Sequence, residues 1–416
     1  MKLLVIADDF TGALDTGIQF SSFGIEVYVL FELKRVEVPG NTVLIYDAET
    51  RHKTPEKAYA MIREIVQWAR ENEITGIYKK TDSALRGNVG IELQALLDHW
   101  EDKTLIFAPA YPEMNRITKN GIQFIDGIPV AESPFGRDLF EPVRHSSVAD
   151  IIHETSSIQT RESQGAVWNQ AKESREILIA DAETCADLDE IARWSIRHRI
   201  RSYAGCAGFA RALAKNIFRG GQRTAFGKLS PYLLAVCGSI HPATVRQVET
   251  AVRNGMERIS ISQKKLMDSG YLKGQGIHAD AAAWAAVCRK TGGLILNVEE
   301  GSSEKSGSSR EFAMGEKIAA GLASAAKGIL DTGLLPTLFC TGGDTLRAVI
   351  RQMEITILQP IAELYPGVVL SRGFSGNVPI HIISKSGGFG PPDLLLRIKQ
   401  LLQQSQKTEM EKSNEK

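Results

Sequence analysis

The chain has 416 residues, 43% of them hydrophobic and 24% charged, with 49 basic and 49 acidic side chains and a formal net charge of +0. That mix excludes a disordered or fibrous protein, and the balanced charge, with no basic block, excludes a surface built to track nucleic acid or an anionic membrane. No apolar run approaches the roughly 18 residues of a membrane span, and the first strand follows Met1 without a signal-peptide pattern, so a soluble, cytoplasmic protein of two domains is expected.

In chain order, the apolar run Leu3–Ala7 predicts a strand that hands over to a helix through Asp8-Asp9-Phe10-Thr11-Gly12. Asp is a preferred N-cap, yet capping uses one acid and two are present. In doubly wound sheets, ligands bind outside the carboxyl ends of the strands, which makes Asp8 and Asp9 candidate ligands of a small polar molecule. Further strands are predicted at Val27–Leu30, Val43–Tyr46, Ile77–Lys80, Leu105–Ala108 and Ile177–Ala180. Helical periodicity marks Pro55–Arg70, Val89–Trp100 and Leu188–Arg197, and strands alternating with helices predict a parallel sheet. The strand at Ile77 runs into Thr81-Asp82-Ser83-Ala84-Leu85-Arg86-Gly87-Asn88. Here Lys80 and Arg86 suit an anion, whereas Asp82 and Ser83 suit hydroxyl groups. The Pro- and Gly-rich block from Pro109 to Pro142 breaks the rhythm, and Gly121–Gly127 within it reads as a hairpin at the sheet edge.

Arg219-Gly220-Gly221-Gln222-Arg223 is the expected linker, separating a first domain, 1–219, from a second, 224–402. The second domain repeats the alternation, with strands at Leu233–Cys237, Arg258–Ile261, Gly293–Leu296, Thr337–Cys340, Val368–Leu370 and Ile380–Ile383. Its helices are predicted near Ala243–Arg253, Ala279–Cys288, Glu311–Ala326 and Asp344–Met353, and the polar residues 403–416 are expected to lie beyond the final helix. The fold class is therefore α/β, two domains each with a mainly parallel sheet flanked by helices. The five cysteines form no CxxC pair and read as buried thiols, and the eight histidines show no metal-ligand spacing.

Three glycine-bearing loops follow strands of the second half: Gly238-Ser239-Ile240-His241-Pro242, Thr341-Gly342-Gly343-Asp344-Thr345 and Ser384-Lys385-Ser386-Gly387-Gly388-Phe389-Gly390. Such loops let backbone N–H groups approach phosphate oxygens, with the positive end of a helix behind them. None matches the P-loop pattern GxxxxGK[ST] or the dinucleotide fingerprint GxGxxG, which counts against an NAD(P)-dependent oxidoreductase. Asp344 reads either as a helix cap or as an acid that holds magnesium or activates a hydroxyl, and Lys385 as a cation for a phosphate or a carboxylate.

Taken together, IADDFTGALDTG, KKTDSALRGN at Lys79–Asn88, APAYPEMNRIT at Ala108–Thr118, Gly238-Ser239, TGGDT at Thr341–Thr345 and SKSGGFG at Ser384–Gly390 resemble the four-carbon acid sugar kinases across nearly the whole chain. The resemblance implies an N-terminal domain for the sugar acid, a C-terminal domain for ATP, and phosphorylation of threonate, erythronate or 3-oxo-tetronate at the terminal hydroxyl with ATP and magnesium. Carried over onto matching positions, Asp9, Arg51, Lys80, Asp82 and Ser83 become substrate ligands, with Asp82 and Asp9 as alternative proton acceptors. Arg51, just past the loop that ends at Thr50, suits the sugar-acid carboxylate. Ser239, Gly342, Gly343, Asp344, Thr345 and Gly387 become ATP contacts. The chain departs from the family's pattern at Asp344, where Glu is common, and at Ile240-His241, where Cys-Ser is common. Asp15-Thr16-Gly17 looks more like the threonate kinases. The expected partners are thus a sugar acid and ATP, with a homo-oligomer possible; a sugar-acid binding protein without kinase activity is the non-enzymatic alternative.

Overall fold

The computed structural model describes residues 1–34, 39–138, 141–163, 175–218, 228–239, 241–299, 309–385 and 388–414, with side chains except at 309–313 and 406–414. It divides into two compact units, Met1–Thr224 and Ala225–Lys416. The expected linker, Arg219–Arg223, lies outside the described residues.

Unit 1 contains, in order, β1 (Lys2–Ala7), α1 (Phe10–Ser21), β2 (Glu26–Leu30), β3 (Thr42–Asp47), α2 (Pro55–Glu71), β4 (Gly76–Lys80), α3 (Val89–His99), β5 (Thr104–Ala108), β6 (Arg116–Lys119), β7 (Ile122–Ile125), β8 (Ile128–Pro129), α4 (Val148–His153), β9 (Gln159–Glu162), β10 (Glu176–Ile179), α5 (Cys185–Arg197), β11 (Ser202–Gly205) and α6 (Ala207–Ile217). The main sheet has the order β2-β3-β1-β4-β11-β5-β10-β9, and its paired strands are parallel. Parallel strands are covered on both faces and so read as continuous apolar runs, and Leu3 to Ala7 are each 0% exposed. Helices α1, α6 and α5 pack in one group and α2, α3 and α4 in another.

The register places Ala7 beside Asp47 on one side and beside Lys80 on the other, so the carboxyl ends of β3, β1 and β4 lie in a row. Because the chain leaves β1 for the β2–β3 side and then crosses to β4, this row is the topological switch of the sheet. The hairpin expected at the sheet edge is instead part of a separate antiparallel sheet, β6-β7-β8. Its tight turns, Asn120-Gly121 and Asp126-Gly127, have all four residues at positive φ, the conformation that two-residue hairpin loops demand, so the segment closes on itself. A bridge from Thr118 to Ala182 ties it to the main body.

Unit 2 contains β12 (Leu233–Cys237), α7 (Pro242–Arg253), β13 (Glu257–Ile261), α8 (Gln263–Met267), α9 (Ser269–Lys273), α10 (Gln275–Thr291), β14 (Gly293–Val298), α11 (Ser309–Asp331), β15 (Thr337–Thr341), α12 (Gly343–Gln352), β16 (Ile357–Tyr365), β17 (Val368–Ser375), β18 (Val378–Lys385) and α13 (Leu394–Asn414). Its strands run β13-β14-β12-β15-β18-β17-β16, parallel from β13 to β18 and antiparallel through β17 and β16. The polar segment expected beyond the final helix is mostly part of α13, since Gln, Lys, Glu and Met are strong helix formers. Cys185 is exposed, unlike the other four cysteines, because it opens α5 at the surface.

Candidate functional site

Two loop clusters stand at the carboxyl ends of the central strands, one in each unit. In unit 1, Asp9 caps α1, accepting from the Gly12 N–H at 3.0 Å, and its side chain is 30% exposed. Asp8, one residue earlier, is buried. Arg51 donates from Nε to Asp8 Oδ2 at 2.7 Å, brings Nη2 to the same oxygen at 2.7 Å, and reaches Asp9 Oδ2 through Nη1 at 2.8 Å. Lys80 Nζ lies 3.3 Å from Asp8 Oδ1 and 3.4 Å from Asp9 Oδ1. Burial alone would raise the Asp8 pKa, but Arg51 and Lys80 outweigh it and hold the carboxyl down at about 2. The same carboxylates keep the Lys80 ammonium and the Arg51 guanidinium charged against their own burial.

Gly12 makes this packing possible. A Cβ there would stand 2.1 Å from Lys80 Nζ, so the ammonium can cross the first turn of α1 only over a residue without a side chain. Behind Lys80, Lys79 is fully buried with Nζ 2.9 Å from Glu92 and donates to the Lys80 carbonyl at 2.8 Å, which fixes the end of β4.

The next turn is organised by Asp82. It accepts from the Ala84 and Arg86 N–H groups at 3.3 and 3.4 Å, and Arg86 forks onto it through Nε at 2.8 Å and Nη2 at 3.1 Å. Leu85, at φ +63°, bends the chain back so that Arg86 returns to Asp82, a left-handed conformation that costs a non-glycine residue about 1 kcal/mol. Burial pushes the Asp82 carboxyl up, and Arg51 and Arg86 together pull it well below the ordinary carboxylate range. Arg86 also reaches Asp138 at 3.2 Å. Asp8, Asp9, Arg51, Lys80 and Asp82 thus form one charged cluster, which Arg86 joins through Asp82 and Ser83 borders. Asp138 and Arg116 also belong to the site, without a signal in the local sequence; Arg116 Nη1 donates to Ser83 Oγ. Arg116 lies in the segment Ala108–Thr118, and only the folded small sheet brings it to the loop.

In unit 2, the register sets Cys237 beside Thr341 and Thr341 beside Lys385, which lines up the ends of β12, β15 and β18, the strands that the three glycine-bearing loops follow in sequence. Gly342 precedes α12 at φ +87°, and a Cβ on it would sit 3.6 Å from that of Ser239. A Cβ on Gly238 would come within 2.2 Å of Thr345 Oγ1, so the first two loops touch through glycine. Gly342, the N-cap residue of α12, has no side chain to cap the helix, so among the described residues the first-turn amides at Gly343, Asp344 and Thr345 can face an anion. Asp344 is exposed in that turn. His241 Nδ1 caps α7 by accepting from Ala243 at 3.2 Å. Lys385 is buried at the end of β18 with Nζ 3.1 Å from Thr244 Oγ1, and burial lowers its pKa to about 8. Ile240 and Gly387 lie outside the described residues. Among the described residues, no group of three acidic, histidine or cysteine side chains forms a metal cage, and no helix is long and apolar enough to cross a membrane.

Comparison with known proteins agrees with this division. Residues 3–213 match the model of a sugar-binding N-terminal domain and residues 234–395 that of a nucleotide-binding C-terminal domain. The chain is 28% identical to the D-threonate kinase of Salmonella typhimurium, covering 95% of this chain and 97% of that one. It is 27% identical to the D-erythronate kinase of Heliobacterium modesticaldum (94% and 95% covered) and 24% identical to the 3-oxo-tetronate kinase of Methylobacterium radiotolerans (95% and 98%). The fold matches the crystal structure of a Haemophilus influenzae protein with a TM-score of 0.74, at 20% identity over 94% of this chain and 97% of that one. With a charged cluster in one unit, glycine-bearing strand ends in the other, and both domain models matched in order, the chain belongs to the four-carbon acid sugar kinase family.

Proposed function

We propose that this protein transfers the γ-phosphoryl group of ATP to the terminal 4-hydroxyl of a four-carbon sugar acid, with D-threonate as the substrate and D-erythronate or 3-oxo-tetronate as the alternatives. The observation that carries this reading is the pairing of two different ligand loops at equivalent strand ends, one charged and one glycine-rich. Similarity to D-threonate kinases of two organisms over at least 95% of this chain supports the choice of acid.

In this reading Asp9, Arg51, Lys80, Asp82 and Ser83 face the sugar acid, with Asp8 and Arg86 holding them in place. Ser239, Gly342, Gly343, Thr345 and the Gly387 loop face ATP, and Lys385 supplies a positive charge to its phosphates. The acceptor oxygen forms a bond to phosphorus as the bond to the bridging oxygen of ADP breaks, and the hydroxyl proton passes to a carboxylate. Asp9 suits that role better than Asp82, because 30% of its side chain is exposed against 9%. A weakly basic carboxylate suffices, since phosphoryl transfer depends on positioning and charge neutralisation more than on proton removal.

Magnesium fits Asp344. The ion takes one or two carboxylates with phosphate oxygens and water rather than an all-protein cage, and Asp344 offers one exposed carboxylate in the open turn of α12. When bound, it neutralises phosphate charge. The deciding experiment is ADP release with ATP and magnesium against D- and L-threonate, D- and L-erythronate and 3-oxo-tetronate, with the product weighed by mass spectrometry. A gain of one phosphoryl group on a single acid is expected. Silence on every acid, with ATP still bound, would exclude these substrates, and silence without ATP binding would exclude the kinase.

A further inference from the structure

The sequence points to Arg51 as the partner of the acid's carboxylate, and on the sugar-acid reading, on which this inference rests, the structure favours a different residue. The cations of the charged cluster are committed to carboxylates of the chain itself: Arg51 to Asp8 and Asp9, Lys80 to the same pair, and Arg86 to Asp82 and Asp138. Three cations therefore face four carboxylates, and a substrate carboxylate placed among them meets repulsion that this set does not offset.

Arg116 differs in each respect. It opens β6 in the small antiparallel sheet, where no carboxylate pairs with it among the described residues, and its buried Nε has no hydrogen-bond partner. Its Nη1 donates to Ser83 Oγ, at the edge of the charged cluster. Its guanidinium carbon lies 5.5 Å from the centre of the Phe135 ring, which also has Arg86 at 5.1 Å, so both cations rest against one aromatic ring. The small sheet is fastened to the substrate loop at a second point, where Gln123 Nε2 donates to the Ser83 carbonyl at 3.3 Å and Thr118 Oγ1 holds the Gln123 side chain at 2.7 Å. The backbone of Arg116 is fixed by paired bonds with Tyr111, at 2.7 and 3.1 Å.

We propose that Arg116 binds the carboxylate of the sugar acid, and that the β6-β7-β8 sheet serves to carry this guanidinium to Ser83. A planar fork matches a carboxylate with two parallel hydrogen bonds, and a fixed backbone leaves little side-chain freedom to lose on binding. With the carboxylate held at Arg116 and Ser83, the hydroxyls fall to Asp9, Arg51 and Lys80. Arg116 is then the residue that makes the enzyme select an acid over a neutral four-carbon compound.

The test compares each accepted acid, D-threonate or D-erythronate, with its carboxamide, in the unaltered protein and in Arg116→Gln and Arg116→Lys. The unaltered protein should prefer the acid by about 10- to 100-fold in kcat/KM, the range of a charge-assisted pair over a neutral one. Arg116→Gln should reduce that preference to within a few-fold through KM for the acid, leaving the amide nearly unchanged, and Arg116→Lys should keep an intermediate preference. An equal loss for acid and amide in Arg116→Gln, or a preference that survives it, overturns the proposal. Thermal melting and ATP binding establish that each variant is folded; if Arg116→Gln is not, an undiminished preference in Arg116→Lys overturns the bidentate grip. Absence of turnover in the unaltered protein with every acid counts against the kinase reading instead. Acid and amide are then compared by calorimetric binding, where equal affinities overturn the role of Arg116.

Discussion

The two units begin with the same strand order, yet they fill the resulting crevice with opposite chemistry. In unit 1, β2-β3-β1-β4 places the first strand inside with the fourth beyond it, and β13-β14-β12-β15 does the same in unit 2. At the switch point of unit 1 stand Asp8, Asp9, Arg51, Lys80 and Asp82, all side-chain charges. At that of unit 2 stand Gly238, Ser239, Gly342 and Gly343, where the backbone itself is presented. Topology thus decides where a ligand sits and the loop residues decide which ligand. A small polyhydroxy acid must be told apart by its hydroxyls and needs directional side chains, whereas a phosphate is held by a curve of backbone N–H groups that only glycine lets approach closely.

Removing charge from unit 1 should cost the most activity. Asp9→Ala or Asp82→Ala should lower kcat by about 10²- to 10⁴-fold, the span of a positioned carboxylate, with ATP affinity unchanged in a calorimetric titration. A parallel loss of ATP binding would show that the two clusters are not independent.

Acid provides the next largest effect. The Asp8 carboxyl is held at about 2 against an ordinary 3.8, so its ionised form stabilises unit 1 above about pH 4, and that stability is lost as pH falls through 2. About 2 kcal/mol should disappear over this window in denaturant melts, and Asp8→Asn should abolish that part of the pH dependence.

In unit 2 the equivalent insult is steric. Gly342→Ala forces a side chain onto a residue at φ +87°, at a cost of about 1–2 kcal/mol, and should weaken ATP binding about tenfold while sugar-acid binding stays the same. The smallest effect belongs to Lys385. Its ammonium is lost as pH rises through about 8, so ATP affinity should fall a few-fold between pH 7 and 9 in the unaltered protein and stay flat in Lys385→Met. Folding stability should move the other way. The folded pKa lies below the ordinary 10.5, so the unfolded chain holds more protons between about 8 and 10.5 and stability rises with pH there.

Much of this was legible residue by residue. The apolar runs of the sequence match β12 at Leu233–Cys237, and β1, β3 and β4 to within a residue at each end, because a parallel strand buried on both faces is a short apolar run. β11 escaped notice since Ser202-Tyr-Ala-Gly205 has no such run, although it lies between β4 and β5 and is fully buried. Small residues are required there, for a Cβ on Gly205 would meet the Ala108 carbonyl at 2.3 Å. β16 was concealed by Pro360, which marks a shift in register and normally argues against a strand. In the site, Asp8, Asp9, Lys80 and Asp82 announced themselves by density of charge at strand ends, whereas Asp138 and Arg116 did not.

The chain's local grammar is written in its sequence: where strands hand over to helices, where glycine must stand, and which short loops carry charge. These follow from periodicity and backbone stereochemistry, which act over a few residues. The pairings come from the fold: Arg51 with Asp8 across 43 residues, Lys80 with Asp8 across 72, and Arg116 with Ser83 across 33. A charge's partner depends on strand order and register, which are set by burial of the whole sheet, so no spacing along the chain encodes it.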